Sequence, residues 1–237
     1  MAFINTSRGK LKYKDRIIYL GIKQIDKEKS LKNLICVHDI MERNKVRYGL
    51  MYGTLLGAVR EHDFITWDED IDLFVISEDE GKLKDSLWEL LEQGFTFLRY
   101  DRTGIYTVVR DGEYIDFYIF EPYSEGIRHA GCNRKFFPDE LFVNTVLYEF
   151  KGYKFPIPQN YEKLLEIEYG KNWMTPIKMY NYEMPKYKRA LRKLVFYVRN
   201  HMPKFVYEAI AKHKHRMNKE IFNRKFKDAG YENLVIK

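Results

Sequence analysis

The segment YGLMYGTLLGAVREHDFITWDEDIDLFVI, residues 48–76, predicts two buried strands separated by a short helix and a polar loop. The apolar run 49–52 is typical of a first strand. A turn at Gly53 and Thr54 should follow, and residues 55–60 have the composition of a helix. A polar loop then leads to the acidic segment 68–72, and the apolar run 73–76 continues as a second strand. We therefore expect a strand, a turn, a helix and a strand in this order.

Two aspartates lie at the start of the second predicted strand. Alternate residues of a strand share a face, so Asp70 and Asp72 should point the same way. Two carboxylates held together in a buried place repel each other unless a cation lies between them. Hard oxygen ligands of this kind suit Mg²⁺ or Mn²⁺, which also bind substrate phosphates. An isolated Asp-x-Asp pair more often lies on a solvated turn, so its surroundings decide its meaning.

A third aspartate, Asp116, lies in a similar apolar run, residues 114–120, after an Asp-Gly hairpin turn. The hairpin should return this run towards Asp70 and Asp72. Three acids on adjacent strands, facing a Gly-Thr turn, indicate a two-metal site for phosphoryl transfer. We predict all three aspartates as catalytic residues and metal ligands. The sequence leaves open whether Asp116 is a ligand or a general base.

Residues near these acids are predicted to contact the substrate. Gly53 lets the backbone approach a phosphate, and the Thr54 hydroxyl at the helix N-terminus would face it. Arg60 could bind a phosphate through two hydrogen bonds, the alternative being a surface cation at a helix end. Trp67 would form a wall of the site or a plug in the core beneath it. Asp68, next to Trp67, completes the predicted substrate-binding set.

The segment GTLLGAVREHDFITWDEDIDLFV, residues 53–75, closely resembles the signature of the LicD family, which includes bacterial phosphocholine transferases and is related to the eukaryotic fukutins. FKGYKFPIPQNYEKLLEIEYGKNWMTP, residues 150–176, resembles the second block of that family. Together the two blocks span roughly residues 30–180. The resemblance implies a nucleotidyltransferase-type fold and the transfer of a phospho-alcohol from a CDP-activated donor.

The fold class expected from the resemblance and the pattern is α+β. We expect a nucleotidyltransferase-like mixed β-sheet flanked by helices, with a basic helical C-terminal arm. The predicted domains are a catalytic domain over residues 1–180 and a helical appendage over residues 181–237. Helices and strands are predicted at helix 27–44, strand 46–52, helix 77–93, strands 95–100, 105–110 and 114–120, strands 147–151 and 153–157, helix 161–169, helix 185–201 and a last helix ending near 226.

Charge is unevenly distributed along the chain. Residues 186–227 contain fourteen Lys and Arg against two Glu, a net charge of +12. The rest of the chain has 27 basic and 32 acidic residues, a net charge of −5. The first helix of the arm has an apolar stripe with cations mostly off it, a pattern typical of a helix in an anionic membrane interface. The alternative is a stripe that packs on the catalytic domain. The stripe consists of Tyr187, Ala190, Leu191, Leu194, Val195, Val198 and Met202.

The N-terminal residues and the cysteines indicate the cellular compartment of the protein. Residues 1–14 are polar and basic, so we expect no signal peptide, and no stretch approaches the ~18 apolar residues of a membrane span. Two cysteines argue against a disulfide framework. We therefore expect a cytoplasmic protein, peripheral on the inner face of the membrane if the arm binds lipid. His129 and Cys132 are too few ligands for a zinc site.

A basic loop over residues 121–144 offers a further contact. Its cations could hold a diphosphate near the aspartates, although charged loop residues are usually solvated. The polar and basic residues concerned are Arg128, His129, Asn133, Arg134 and Lys135.

The activity predicted from the motifs and the resemblance is Mg²⁺-dependent transfer of phosphocholine, or a similar phospho-alcohol, to a hydroxyl of a cell-surface glycan, releasing CMP. The expected partners are a CDP-alcohol donor and a glycan acceptor built on a lipid carrier. One alternative is a fukutin-like ribitol- or glycerol-phosphate transferase, and another is a nucleotidyltransferase that uses an NTP and releases pyrophosphate. A nucleic-acid-binding module is disfavoured despite the pI of 9.1, because three carboxylates without metals would repel phosphates.

Overall fold

The computed structural model describes residues 2–14, 23–101, 104–130, 135–178 and 185–236. These residues form an α+β fold with a mixed central sheet flanked by helices, which confirms the predicted fold class. Two separate hairpins lie outside the central sheet.

Strands and helices alternate over residues 9–100, a run of strands follows, and three helices end the described chain. A short 3₁₀ turn over 77–79 precedes the third helix. In chain order the elements are β1 (Ala2–Thr6), β2 (Gly9–Tyr13), α1 (Lys27–Arg43), β3 (Tyr48–Leu50), α2 (Tyr52–Arg60), β4 (Asp70–Ile76), α3 (Glu80–Glu92), β5 (Thr96–Tyr100), β6 (Ile105–Arg110), β7 (Glu113–Ser124), β8 (Ile127–Ala130), β9 (Lys135–Pro138), α4 (Glu140–Val143), β10 (Thr145–Phe150), β11 (Tyr153–Pro158), α5 (Tyr161–Tyr169), α6 (Lys186–His201) and α7 (Lys204–Asp228).

The central sheet has the strand order β3-β4-β7-β6-β5, and β8 and β9 extend it from β7. Strands β4 and β7 run parallel, whereas the other pairs of this sheet are antiparallel. Every residue of β4 is buried, so both faces of this strand are covered. The register of β4 and β7 places Asp72 opposite Asp116. The sheet therefore brings the second predicted strand and the Asp116 strand together, as the sequence indicated.

The connection between β3 and α2 differs from the prediction. The strand ends at Leu50 and the helix begins at Tyr52, so Gly53 and Thr54 lie in the first helical turn rather than in a turn before it. The chain changes direction at Met51 and Tyr52, and Tyr52 takes a positive φ of 46°. Both side chains are buried. The apolar run therefore reflects the buried start of a helix and not a longer strand.

The hairpin of β10 and β11 packs against the edge strand β3. This close approach requires a glycine at residue 49, because a Cβ there would lie 2.6 Å from the Phe74 ring and 2.7 Å from the Pro156 carbonyl oxygen. Helices α1 and α3 contact each other and the central sheet. Through the contact of the β10–β11 hairpin with β3, the second sequence block packs against the segment 48–76.

The two C-terminal helices are packed differently. Almost all described side chains of α6 are exposed, whereas Phe222 and Phe226 of α7 are buried in the same hydrophobic core as the central sheet. The Lys225 ammonium donates to the carbonyls of Ile167 and Glu168 at the end of α5. The boundary predicted after residue 180 thus divides segments that share one core. None of the helices in the described part of the chain is both long and apolar enough to cross a membrane.

Candidate active site

A pocket of about 420 Å³ opens between α2, β4 and the residues that follow α5. It contains both aspartates of the predicted metal pair and a high proportion of aromatic side chains. The lining residues are Tyr52, Gly53, Leu56, Arg60, Ile65, Trp67, Asp68, Glu69, Asp70, Asp72, Tyr118, Lys135, Glu168, Tyr169, Asn172, Trp173, Thr175 and Ile177.

Asp70 and Asp72 are buried in this pocket, 8% and 7% exposed, and Glu69 between Asp68 and Asp70 is buried as well. Burial raises the pKa of Asp70 well above its usual range, and the negative charges of Asp72 and Asp116 raise it further. Burial, followed by the charges of Asp68 and Asp116, raises the pKa of Asp72 in the same way. Two neighbouring carboxylates with raised pKa values are stabilised in their charged form by a bound cation. Their oxygens suit a hard divalent ion.

The first turn of α2 holds Asp72 in place. The Gly53 amide donates to Asp72 Oδ2 at 3.2 Å, and the Asp72 amide donates to Thr54 Oγ1 at 2.9 Å. A hydrogen bond with Tyr118 also favours the charged form of Asp72. Thr54 is 1% exposed and does not line the pocket. The structure therefore places the Thr54 hydroxyl beneath the site, where it positions Asp72, rather than against a phosphate.

Asp116 lies next to the pair but has other partners. Its carboxylate accepts hydrogen bonds from Arg99 Nη2 at 2.9 Å and from the Thr107 hydroxyl. Arg99, Thr107 and Asp116 face one another across β5, β6 and β7 in register. Burial raises the pKa of Asp116, and the Arg99 charge opposes that rise. Asp116 does not line the pocket, because its carboxylate is held by these two side chains.

The predicted metal site is thus centred on two aspartates. Among the residues that the structure describes, no three His, Cys, Asp or Glu side chains form a group that could hold a metal ion. Asp70 and Asp72 come together, and Asp116 does not join them as a third ligand in this arrangement. Mg²⁺ is commonly bound through one or two carboxylates together with waters and substrate phosphates. The pair fits that mode of binding.

Gly53 is required by the position of Asp68. A Cβ at residue 53 would overlap the Asp68 carboxylate, so only glycine allows this close approach. Asp68 lines the pocket, and burial raises the pKa of its carboxyl to about 6. Trp67 also lines the pocket, with Lys178 Nζ 5.8 Å from its ring centroid. The structure therefore favours the wall for Trp67 over the core plug.

Arg60 reaches the pocket but is already engaged. Its guanidinium donates to Glu61 Oε1 at 2.7 Å and to the Trp173 carbonyl at 3.2 Å. Its Nε is buried and has no hydrogen-bond partner among the described residues. These two bonds use two of the five guanidinium N–H groups, so Arg60 keeps donors, Nε among them, that could bind a phosphate.

The pocket also contains one cation of the predicted basic loop, together with several residues that were not singled out from the sequence. Lys135, from the predicted basic loop, lines the pocket in β9, pairs with Glu168 and lies 5.1 Å from the Tyr52 ring centroid. Glu168, Tyr169 and Trp173 come from the end of α5 and the turn after it. The second sequence block contains these residues, but a helix pattern does not indicate which end faces a distant pocket.

Arg128 and His129, the other described residues of the predicted basic set, do not line the pocket. Arg128 pairs with Glu78 and Asp139. His129 packs against His215, with ring centroids 5.3 Å apart. Cys132, Asn133 and Arg134 lie outside the residues that the structure describes. The loop therefore contributes Lys135 to the described site.

Comparison with known proteins places this site in a family. Residues 45–160 match the family model described as LicD/FKTN/FKRP, nucleotidyltransferase domain. An uncharacterized protein of Rickettsia typhi is 30% identical over 118 residues, which cover 50% of this chain and 36% of that protein. The human ribitol 5-phosphate transferase FKRP is 28% identical over 144 residues, covering 55% of this chain and 29% of the relative. The chain therefore spans about a third of the length of these relatives.

Another relative has a higher sequence identity over a shorter segment. The lipopolysaccharide cholinephosphotransferase LicD of Haemophilus influenzae is 42% identical over 48 residues, covering 20% of this chain and 18% of that protein. Among solved structures, ANT(2'')-Ia in complex with adenylyl-2''-tobramycin aligns with 84% of this chain and 99% of its own, with 11% identity and a TM-score of 0.45.

Proposed function

Residues 45–160 form a nucleotidyltransferase domain of the LicD family, and from this premise we propose that the chain transfers a phospho-alcohol from a CDP-activated donor to a hydroxyl acceptor and releases CMP. The observation that carries the proposal is the buried Asp70–Asp72 pair in a pocket with aromatic walls. The named relatives support it, since one is a ribitol 5-phosphate transferase and another a lipopolysaccharide cholinephosphotransferase.

Asp70 and Asp72 would hold Mg²⁺ or Mn²⁺, which would supply charge neutralisation at the donor diphosphate and would acidify the acceptor hydroxyl. The Gly53 amide and the Thr54 hydroxyl fix the position of Asp72 within this pair. Lys135 supplies a positive charge beside the same pocket and would bind the diphosphate after separating from Glu168. The chain thus combines two acids for a cation with one basic residue for the donor.

Asp116 keeps the two roles that the sequence left open, ligand or general base. Each oxygen of Asp116 accepts one hydrogen bond in the structure, and its remaining lone pairs could serve either role. The positive charge of Arg99 offsets the negative charge of the Asp116 carboxylate, so the attraction for a cation comes mainly from Asp70 and Asp72.

We propose phosphocholine as the transferred group. A quaternary ammonium is bound by the faces of aromatic rings, whereas a polyol needs several hydrogen-bonding partners. Ribitol phosphate or glycerol phosphate is the second candidate, since human FKRP is a ribitol 5-phosphate transferase. The aromatic lining favours choline. The rings are those of Tyr52, Trp67, Tyr118, Tyr169 and Trp173.

The acceptor that we propose is a glycan hydroxyl at the cytoplasmic face of the membrane, where a lipid carrier would present the glycan. The lipopolysaccharide cholinephosphotransferase of Haemophilus influenzae supports an acceptor of this class. A pocket that encloses the donor must leave one side accessible to such an acceptor.

The donor is tested by thermal shift of the purified chain with CDP-choline, CDP-ribitol or CDP-glycerol, each with Mg²⁺. We expect the largest stabilisation with CDP-choline, because at equal concentration the ligand that binds more tightly stabilises the folded state more. Trp67→Leu should weaken this response more than Trp67→Phe, which keeps an aromatic face. A larger shift with CDP-ribitol would select the polyol donor.

Product analysis separates this proposal from a nucleotidyltransferase that uses an NTP. We expect CMP from the CDP-alcohol, no pyrophosphate from CTP, and loss of turnover in EDTA that added Mg²⁺ restores. Pyrophosphate released from CTP, or turnover that survives EDTA, would contradict the CDP-donor mechanism.

A further inference from the structure

Helix α6 (Lys186–His201) exposes an apolar stripe to solvent. Residues 187, 191, 194, 195 and 198 recur at the spacing of one helical face. An exposed contiguous stripe of this kind is unusual for a surface that contacts only water. The exposed fractions are 69% for Tyr187, 59% for Leu191, 58% for Leu194, 58% for Val195 and 49% for Val198.

The helix is attached to the rest of the protein by a different side. Arg199 Nη2 lies 3.3 Å from Asp101 Oδ2, and the Asp101 side chain is fully buried after β5. Phe196, half-buried, lies roughly opposite the centre of the stripe on a helical projection, and the Arg199 guanidinium lies 5.1 Å from its ring. The structure therefore contradicts the alternative in which the stripe packs on the catalytic domain.

The charge of α6 indicates what could cover the stripe. The helix contains no Asp or Glu between Lys186 and His201. Lys188 and Arg192 lie on one side of the stripe, and Lys186 and Lys193 lie on the other. These four side chains are exposed. Cations along both borders of an apolar stripe are complementary to a surface that is apolar inside and anionic at its rim.

We propose that α6 lies in the interface of an anionic lipid membrane, with its apolar stripe among the acyl chains and its flanking lysines and arginines at the headgroups. A second copy of the chain is the less favourable occupant, because two such helices would bring like charges together along both borders. The proposal does not depend on the activity proposed above. It rests on the exposure and charge of α6.

Binding to vesicles tests the proposal. The full chain should cosediment with vesicles that contain phosphatidylserine and much less with pure phosphatidylcholine vesicles. Leu191→Asn with Leu194→Asn should reduce the partition coefficient by at least about tenfold, because two apolar side chains no longer enter the bilayer. Val143→Asn with Leu147→Asn is the matched control, since these side chains are 61% and 65% exposed outside α6. The control should bind like the unchanged protein.

The contribution of charge is measured separately. Lys188→Gln, Arg192→Gln and Lys193→Gln together should weaken binding to anionic vesicles more than Lys212→Gln, Lys214→Gln and Arg216→Gln, which remove the same charge from exposed positions of α7. Raising NaCl from about 0.05 to about 0.5 M should weaken the binding of the unchanged protein to anionic vesicles, because salt screens the attraction between the cations and the headgroups. Equal effects of the two triple variants would overturn the assignment to α6.

Three further outcomes would contradict the membrane proposal for α6. Equal binding to neutral and anionic vesicles, or none to either at low salt, would overturn the proposal. Dimerisation that Leu191→Asn with Leu194→Asn abolishes, without vesicle binding, would assign the stripe to a second copy. Hydrolysis of the soluble donor and the thermal midpoint should be unchanged in the α6 variants, so failure of the membrane proposal and failure of the proposed activity are distinguishable.

Discussion

Asp72 and Asp116 are register partners on the parallel strands β4 and β7, yet their carboxylates have different environments. Asp72 lines the pocket and is held by a backbone amide, whereas Asp116 is paired with Arg99. Similar sequence surroundings thus lead to one acid that is available to a cation and one that is already neutralised. Experiments can separate the two roles.

Asp72→Asn should reduce transfer by at least ~10²-fold, because the pair loses one charged ligand. The fold should persist with an equal or higher thermal midpoint, since a buried like charge is removed. Release of CMP and the melting curve measure the two effects. Asp39→Asn, at an exposed position of α1, is the control. Near-normal turnover of Asp72→Asn with saturating Mg²⁺ would show that the site is wrongly assigned.

Arg99→Met should destabilise the protein by roughly 3–5 kcal/mol, because it leaves the buried Asp116 carboxylate without its cation. Adding Asp116→Asn should restore much of this loss, which a double-mutant cycle from urea unfolding would measure. Equal stability of Arg99→Met and the double variant would show that the ion pair is unimportant.

Asp116→Asn alone should strongly reduce turnover if Asp116 becomes a ligand or a base during the reaction. A loss of Mg²⁺ affinity indicates a ligand, and a changed pH profile of turnover with normal Mg²⁺ affinity indicates a base. Turnover within about twofold of normal would exclude both roles, a difference smaller than that of a typical catalytic group.

Gly53→Ala should reduce turnover by about tenfold or more, because its Cβ would displace the Asp68 carboxylate and shift the start of α2. Gly81→Ala is the matched control, since a Cβ at residue 81 in α3 meets nothing within 4 Å. That control should keep full activity and gain a little stability from its helical position. Unchanged kinetics of Gly53→Ala would mean that Asp68 has no fixed position in the site.

Asp79 should contribute to stability in a pH-dependent way. Burial raises its pKa, but hydrogen bonds from Arg47 and Lys82 outweigh this and lower the pKa to about 2. A carboxyl whose pKa is lower in the folded state stabilises the protein above the unfolded pKa, and the contribution is lost as the pH falls towards 2. Asp79→Asn should therefore cost about 2 kcal/mol at pH 7.

Urea unfolding of both proteins between pH 7 and the lowest pH at which they fold would test this. The stability difference between Asp79→Asn and the unchanged protein should shrink below about pH 4. A difference that stays constant with pH would mean that Asp79 acts through packing and not through its charge.

The fold class could be predicted from the family resemblance together with the pattern of helices and strands, and the aspartate pair from local periodicity. Residues two apart on a strand share a face in any sheet, so Asp70 and Asp72 had to point together. The two sequence blocks placed the matching domain correctly over most of its length. The predicted start of helix α2 was wrong, because a buried helix N-terminus and a buried strand have the same apolar composition.

The partners of each group were decided only by the tertiary structure. Arg99 reaches Asp116 because β5, β6 and β7 pair in register, and Lys135 reaches the pocket because β9 and the end of α5 meet there. The stripe of α6 was visible in the sequence, but its exposure depends on which side of the helix Asp101 holds. Periodicity determines which residues share a face of a helix or strand, and long-range pairing determines which residues that face contacts.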